Sequence, residues 1–277
     1  MHRQLKNGTG VPDAVLRASG TRLASHRYSA GEESMIRTIL WDMDGTLLDF
    51  RAAERAAIRR LFRERSFGDC TEAMLRRYSE INLDLWKRLE RKEVSRDQVL
   101  TERFSRFFEE LGLERSLAAE CNESYQTYLC DSVIYLDDSL NLIRSLRGRV
   151  RQYLVSNGTA AAQRKRARDS GFEEQMDGIF ISEEVGFDKP DKQFFDCVLA
   201  AVQPEDLSEV MIVGDSLTSD IRGGMNAGIR TCWYSPERKP VPEDYRIDYV
   251  ISDLGEVPEI LESESVSVRQ RPVSGGC

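Results

Sequence analysis

The stretch Thr38-Ile39-Leu40-Trp41-Asp42-Met43-Asp44-Gly45-Thr46 constrains this chain more than any other. A short apolar run bounded by turn residues reads as a buried strand. Here the run ends in one carboxylate and, after a single residue, a second, before Gly45 and Thr46 turn the chain. Ligands of open parallel sheets sit just beyond the carboxyl ends of the strands. Two acids therefore stand where such a fold does its chemistry. Carboxylates this close repel, and a hard cation such as magnesium relieves the repulsion. A plain Asp-Gly turn after any strand gives the same letters, so the later strand ends have to decide.

Composition narrows the chemistry. The 277 residues are 40% hydrophobic and 31% charged, which suits one large domain or a core with a small second one. A formal net charge of -8 argues against a nucleic-acid polymer as partner. No apolar run is long enough to span a membrane. Six cysteines (Cys70, Cys121, Cys130, Cys197, Cys232, Cys277) lie scattered without a Cys-x-x-Cys pair, as reduced thiols in a cytoplasmic protein do. The two histidines, His2 and His26, both precede the first strand. A Ser-His-Asp triad or a histidine-bound catalytic zinc is thereby excluded from the folded body. Carboxylates, Lys, Ser or Cys must carry the chemistry.

Residues 1–34 are polar, rich in Gly, Ser and Arg, and read as a disordered extension. An organellar leader is the other reading, but Val11 to Leu23 forms an amphipathic helix only weakly. After Asp49 the apolar spacing turns helical and stays so. Phe50, Ala53, Ala57, Ile58 and Leu61 predict one helix, Met74 to Leu89 a second, Val99 to Leu111 a third closed by Gly112, and Leu117 to Leu129 a fourth. Four helices in succession break a β-α alternation, so residues 50–132 are expected to form an inserted helical cap over the strand tips. Most of Trp86, Phe104, Phe107 and Phe108 should form the cap's core, with one or two facing the cleft, and the charges between them a solvated face.

The alternation then resumes, so residues 35–49 and 133–262 are expected to make the core. A strand at Val150 to Val155 ends in Ser156-Asn157-Gly158-Thr159, small polar residues that suit a phosphate-binding tip but also an ordinary turn. After a strand at Gly178 to Ile181, Lys189-Pro190 precedes the next helix, and Lys189 can bring positive charge to a phosphate and offset the acids. A strand at Glu209 to Val213 ends in Gly214-Asp215-Ser216. Asp215 is a natural further oxygen ligand for magnesium beside Asp42, and Asp220 can hold Lys189 or the metal's waters. Strands near Thr231 and Tyr249 complete the sheet, and residues 263–277 read as a disordered tail.

Acid pair, Ser-Asn-Gly, Lys-Pro and Gly-Asp-Ser thus follow one another at successive strand tips. Together they resemble the four motifs of the haloacid dehalogenase-like (HAD-like) superfamily, over about residues 36 to 255. The resemblance implies a three-layer α/β/α Rossmann-like core with a parallel sheet and a helical cap inserted after the first motif. It implies Asp42 as nucleophile, Asp44 as general acid/base, and Ser156 and Lys189 as phosphate-binding, with Asn157 close by. Asp42, Asp215 and the backbone carbonyl of Asp44 would hold magnesium. A second acid two residues after the nucleophile fits phosphoester hydrolysis, since a halide leaving group needs no proton.

The cap segments Asp49-Phe50-Arg51 to Glu54, Ile81-Asn82 to Trp86 and Arg103-Phe104 look like those of the pyrimidine 5′-nucleotidase group. The expected partner is a small phosphomonoester. A phosphoglycolate or sugar-phosphate phosphatase would share every catalytic residue, a mutase could use the same aspartyl-phosphate, and a silent scaffold could share the fold.

Overall fold

The computed structural model describes residues 35–269. Residues 1–34, read as an extension, and 270–277 lie outside the described residues. The strands are β1 (Thr38–Trp41), β2 (Arg151–Ser156), β3 (Gly178–Ile181), β4 (Val210–Gly214), β5 (Arg230–Tyr234) and β6 (Tyr249–Ile251). All pair parallel, in the order β3-β2-β1-β4-β5-β6. The chain builds outward from β1 through β2 to β3, then crosses to the other side of β1 for β4 to β6. The order therefore reverses between β1 and β4, and the crevice beyond their carboxyl ends is where such a sheet binds ligands.

Helices are α1 (Phe50–Arg65), α2 (Glu72–Glu90), α3 (Arg96–Leu111), α4 (Ala118–Cys130), α5 (Ser139–Leu146), α6 (Ala160–Asp169), α7 (Ser182–Val185), α8 (Lys192–Val202), α9 (Arg222–Ala227) and α10 (Val257–Arg269). Alternation along each strand divides the core into two layers. Ile39, Trp41, Leu154, Met211 and Val213 meet Ile143 and Leu146 of α5, Ala167 of α6 and Val257 of α10. Leu40, Val155, Val210 and Ile212 meet Phe194, Phe195 and Val198 of α8 and Ala227 of α9. The result is the expected three-layer α/β/α core.

Helices α1 to α4 share a separate hydrophobic core of their own. Asp49, Thr71 and Ser95 cap α1, α2 and α3 through their side chains, and Gly112 ends α3 in the left-handed region at φ 68°. Phe104, Phe107 and Phe108 are fully buried there, while Trp86 and Phe50 pack partly buried at its edge. Two linkers join this unit to the sheet, and they run side by side. Leu48 and Tyr135 form an antiparallel bridge, Asp49 N donates to Ile134 O at 2.8 Å, and Leu136 N donates to Leu47 O at 3.1 Å. Arg96, at the start of α3, fastens the cap to the core at a second place. It donates to Gly158 O at 2.9 Å and Ser182 Oγ at 2.6 Å, and pairs with Asp188.

Two expectations need correction. Helix α10 continues to Arg269, where a tail without structure was expected from 263. Its start is anchored on the sheet by Val257 and Leu261, and the helix continues past them although few apolar residues follow. The cap charges are not all a solvated face: many pair on the surface, as Arg77 does with Glu110, but Glu54 and Arg103 are buried at 2% and 3% exposure.

Phe104 tests whether the cap depends on its own core. It packs against Tyr78, Phe108 and Tyr125 at ring-centroid distances of 5.0, 5.6 and 5.4 Å. Phe104→Ala should cost about 3–5 kcal/mol in denaturant unfolding; a loss below about 1 kcal/mol, within the range of surface changes, would show that this cluster does not hold the cap.

Candidate active site

Asp42 N donates to Val213 O at 2.9 Å, so the backbone stays in the β1–β4 ladder while the side chain stands at the crevice. The chain then turns tightly, with Gly45 N donating to Leu48 O at 2.8 Å. Gly45 has φ +93°, and a Cβ there would lie 2.7 Å from Asp215 Oδ2, so neither backbone nor space admits a side chain. Thr46 joins the two strand tips: its hydroxyl donates to Asp42 Oδ2 at 3.0 Å and accepts from Asp215 N at 3.0 Å.

The other oxygen, Asp42 Oδ1, accepts from Lys189 Nζ at 2.8 Å. Lys189 also donates to Asp220 Oδ1 at 2.7 Å and Val155 O at 2.9 Å, which uses all three of its protons. It is 1% exposed. Its backbone is gripped from both sides by Asn157, whose Nδ2 donates to Lys189 O at 2.8 Å and whose Oδ1 accepts from Lys189 N at 2.9 Å. Asn157 thus supports the lysine loop and keeps one amide hydrogen for the cleft. The helix after this loop begins at Lys192. Asp220 sits in a π-helical turn, Leu217–Ile221, and its Oδ2 accepts from Ser216 N at 3.1 Å. Such turns are frequent at functional sites.

Asp42, Asp215 and Asp220 each place a carboxylate oxygen within 4.8 Å of the others. Burial, and next the Asp220 charge, push the Asp42 carboxyl well above the ordinary range, against the pull of Lys189. The protein walls of the cleft and Asp220 push Asp215 up as well, although its edge remains open to water. Burial alone would lower the Lys189 ammonium, but Asp220 and Asp42 outweigh it and hold it charged. With all three acids ionised, three carboxylates and one ammonium would leave two negative charges in excess, and the donors are hard oxygens. That set fits a divalent cation of the magnesium type.

Asp44 takes a different partner. Its carboxylate pairs with Arg166 and accepts from Gln163 Nε2 at 2.7 Å, and the same Nε2 approaches Ser156 Oγ at 2.9 Å. Arg166 is 1% exposed, and its Nε and Nη2 have no hydrogen-bond partner. Gly158 makes room for this arrangement, since a Cβ there would lie 2.5 Å from Gln163 Nε2. The sequence reading passed over Gln163 and Arg166. A signal was present: Gln163, Arg166, Ala167 and Ser170 form the buried stripe of α6 and its end, and three of the four are polar.

All seven residues singled out from the sequence, Asp42, Asp44, Ser156, Asn157, Lys189, Asp215 and Asp220, line one cleft of about 530 Å³ between core and cap. A second cavity of about 520 Å³ lies at the other end of the sheet, and its wall includes the Arg37–Glu209 ion pair.

A parallel sheet with this order, a cap inserted after β1, and acids meeting at the tips of β1 and β4 define a capped α/β protein with a carboxylate-lined cleft. The chain belongs to the haloacid dehalogenase-like hydrolase family, whose model matches residues 36–228. It is 38% identical over 229 residues to YfnB of Bacillus subtilis, described as a HAD-hydrolase, with 83% of this chain and 97% of that protein covered. The pyrimidine 5′-nucleotidase PynA of Streptococcus pneumoniae is 37% identical over 199 residues, covering 72% of this chain and 83% of PynA. The pyrimidine 5′-nucleotidase YjjG of Escherichia coli is 30% identical over 223 residues, covering 80% and 96%. The crystal structure of magnesium-bound YfnB, said to reveal interdomain movement, matches with a TM-score of 0.77, covering 82% of this chain and 99% of that one. The chain is a HAD-superfamily member related to pyrimidine 5′-nucleotidases.

The charge balance at Lys189 is open to test. Lys189→Met leaves Asp42 and Asp220 facing each other without the ammonium. Stability in denaturant should fall by about 3–5 kcal/mol, the cost of breaking a buried pair. An unchanged unfolding midpoint would show that the lysine does not balance the cluster.

Proposed function

We propose that this protein hydrolyses phosphomonoesters through an aspartyl-phosphate on Asp42, with magnesium as its metal, and that its substrates are pyrimidine nucleoside 5′-monophosphates. The observation that carries the reading is Asp42 itself. It is a strand-tip carboxylate fixed on both oxygens, by Lys189 and Thr46, and it lines a cleft beside a cluster with excess negative charge. Positioning and charge neutralisation are what phosphoryl transfer asks of a protein.

In the first half-reaction Asp42 attacks phosphorus, the bond to the ester oxygen breaks, and the leaving oxygen takes a proton from the Asp44 carboxyl. In the second, Asp44 takes a proton from water as the water oxygen attacks phosphorus. The Asp42–phosphorus bond then breaks, and phosphate leaves. Arg166 and Gln163 hold the Asp44 side chain at the cleft wall. Ser156, the last residue of β2, Asn157 after it, and the charge of Lys189 serve the phosphoryl oxygens. Magnesium, held by Asp42, Asp215 and the Asp44 backbone carbonyl, would neutralise charge between nucleophile and phosphoryl group. The nucleotide preference is supported by PynA and YjjG, both pyrimidine 5′-nucleotidases.

Asp42→Asn should lower turnover by at least about a thousandfold in a protein that still folds, as circular dichroism checks; wild-type-like phosphate release would remove the nucleophile assignment. EDTA should stop the reaction, and added magnesium should restore it; full activity in EDTA would sink the metal assignment. Across a panel of dUMP, dTMP, AMP, phosphoglycolate and hexose phosphates, the pyrimidine nucleotides should show the highest kcat/KM. Preference for phosphoglycolate would keep the mechanism and discard the nucleotide.

A further inference from the structure

Four cap helices contribute to one buried polar network on the wall of the cleft. Glu54 of α1 accepts from Asn82 Nδ2 of α2 at 2.9 Å and from the Ser79 hydroxyl. Asn82 Oδ1 accepts from Arg103 Nη1 of α3 at 3.4 Å, and Arg103 Nε donates to Asn122 Oδ1 of α4 at 2.8 Å. The guanidinium lies 4.7 Å from the Tyr125 ring centroid. Its remaining nitrogen, Nη2, is buried and has no partner. A buried guanidinium donor without an acceptor is costly, and this one belongs to a residue that lines the same cleft as Asp42.

The charges say what kind of acceptor fits. No carboxylate pairs directly with Arg103 among the described residues, but Glu54 reaches it through Asn82. Glutamate and arginine together leave the network neutral. A carbonyl oxygen would satisfy Nη2 and leave that balance unchanged. Phe50, Leu83, Trp86 and Leu100 line the same cleft and offer apolar surface to a flat ring.

We infer that Arg103 determines leaving-group specificity by donating, through Nη2, to an uncharged ring carbonyl of the substrate's base, and that Glu54, Asn82 and Asn122 position it. This deepens the nucleotidase reading and rests on it. The class of leaving group that satisfies it is a pyrimidine nucleoside.

The test deletes each side of the hydrogen bond in turn. On the substrate side, dTMP is compared with its difluorotoluene isostere, which keeps the flat ring but lacks the carbonyls, and with p-nitrophenyl phosphate as a general phosphoester. Wild-type kcat/KM should be about 10- to 100-fold higher for dTMP than for the isostere, the range for one hydrogen bond to a charged group. This comparison needs no variant, so it stands even if a substituted cap fails to fold. On the protein side, Arg103→Lys keeps the network's charge and withdraws the fork, and the gap should collapse to within about threefold. Equal rates for dTMP and isostere in the wild type overturn the inference, as does a gap that persists in R103K. An Arg103-dependent preference for phosphoserine over dTMP would assign the residue to a carboxylate and overturn it too. If the wild type releases phosphate from none of these compounds, p-nitrophenyl phosphate included, the phosphatase reading itself fails.

Discussion

The structure depends on one ammonium set among carboxylates. Lys189 reaches from the loop before α8 into the space between β1 and β4 and binds Asp42, Asp220 and a β2 carbonyl together. A buried lysine would ordinarily lose its proton, and buried aspartates would ordinarily gain one. Here Asp220 and Asp42 hold the ammonium charged, and its pull opposes the burial that raises the Asp42 carboxyl. The arrangement ties together three strand tips that the chain visits far apart in sequence. It also explains why the supporting contacts are so dense, with Asn157 gripping the lysine backbone and Thr46 bridging Asp42 to the β4 loop. The Asp42 carboxylate is held in the one place where its own charge is already partly answered.

Sheet topology makes that place. Because β1 is central and the order reverses beside it, Asp42 and Asp215 emerge from adjacent strands into one crevice. Asp44 can then belong to a different electrostatic setting although it is only two residues from Asp42. Its partners come from α6, on the β2 side, while those of Asp42 come from the α8 loop. Two carboxylates with separate surroundings can take separate roles, one as nucleophile and one as proton carrier.

Much of this was legible in the sequence, for identifiable reasons. Strand tips announce themselves, since an apolar run such as Val210-Met-Ile-Val213 followed by Gly-Asp-Ser has few other readings. The cap was legible because four helical periods in a row cannot be a β-α alternation. Buried polar residues on helices were harder to see. Gln163 and Arg166 occupy positions where periodicity demands apolar side chains, and Glu54 and Arg103 were indistinguishable by composition from the paired surface charges around them. Periodicity reports which face is buried only when that face is apolar. Where a helix turns polar atoms inward to serve a site, pattern and burial part company, and the partners that justify the burial lie on other elements.

The Arg96 contacts tie the cap to the catalytic loops in a way that works in both directions. Gly158 follows Asn157 directly, and Asp188 directly precedes Lys189, so the residues Arg96 holds are chain neighbours of the residues that hold the nucleophile. The paired linkers at Leu48 and Tyr135 join the cap to the core through two neighbouring stretches of chain. Free energy linking two sites is reciprocal. Whatever a ligand in the cleft does to tighten those loops must therefore tighten the hold on the cap by the same amount, and whatever loosens the cap must loosen the loops. Occupancy of the cleft and the fastening of the cap at Arg96 are, in this chain, two readings of one equilibrium.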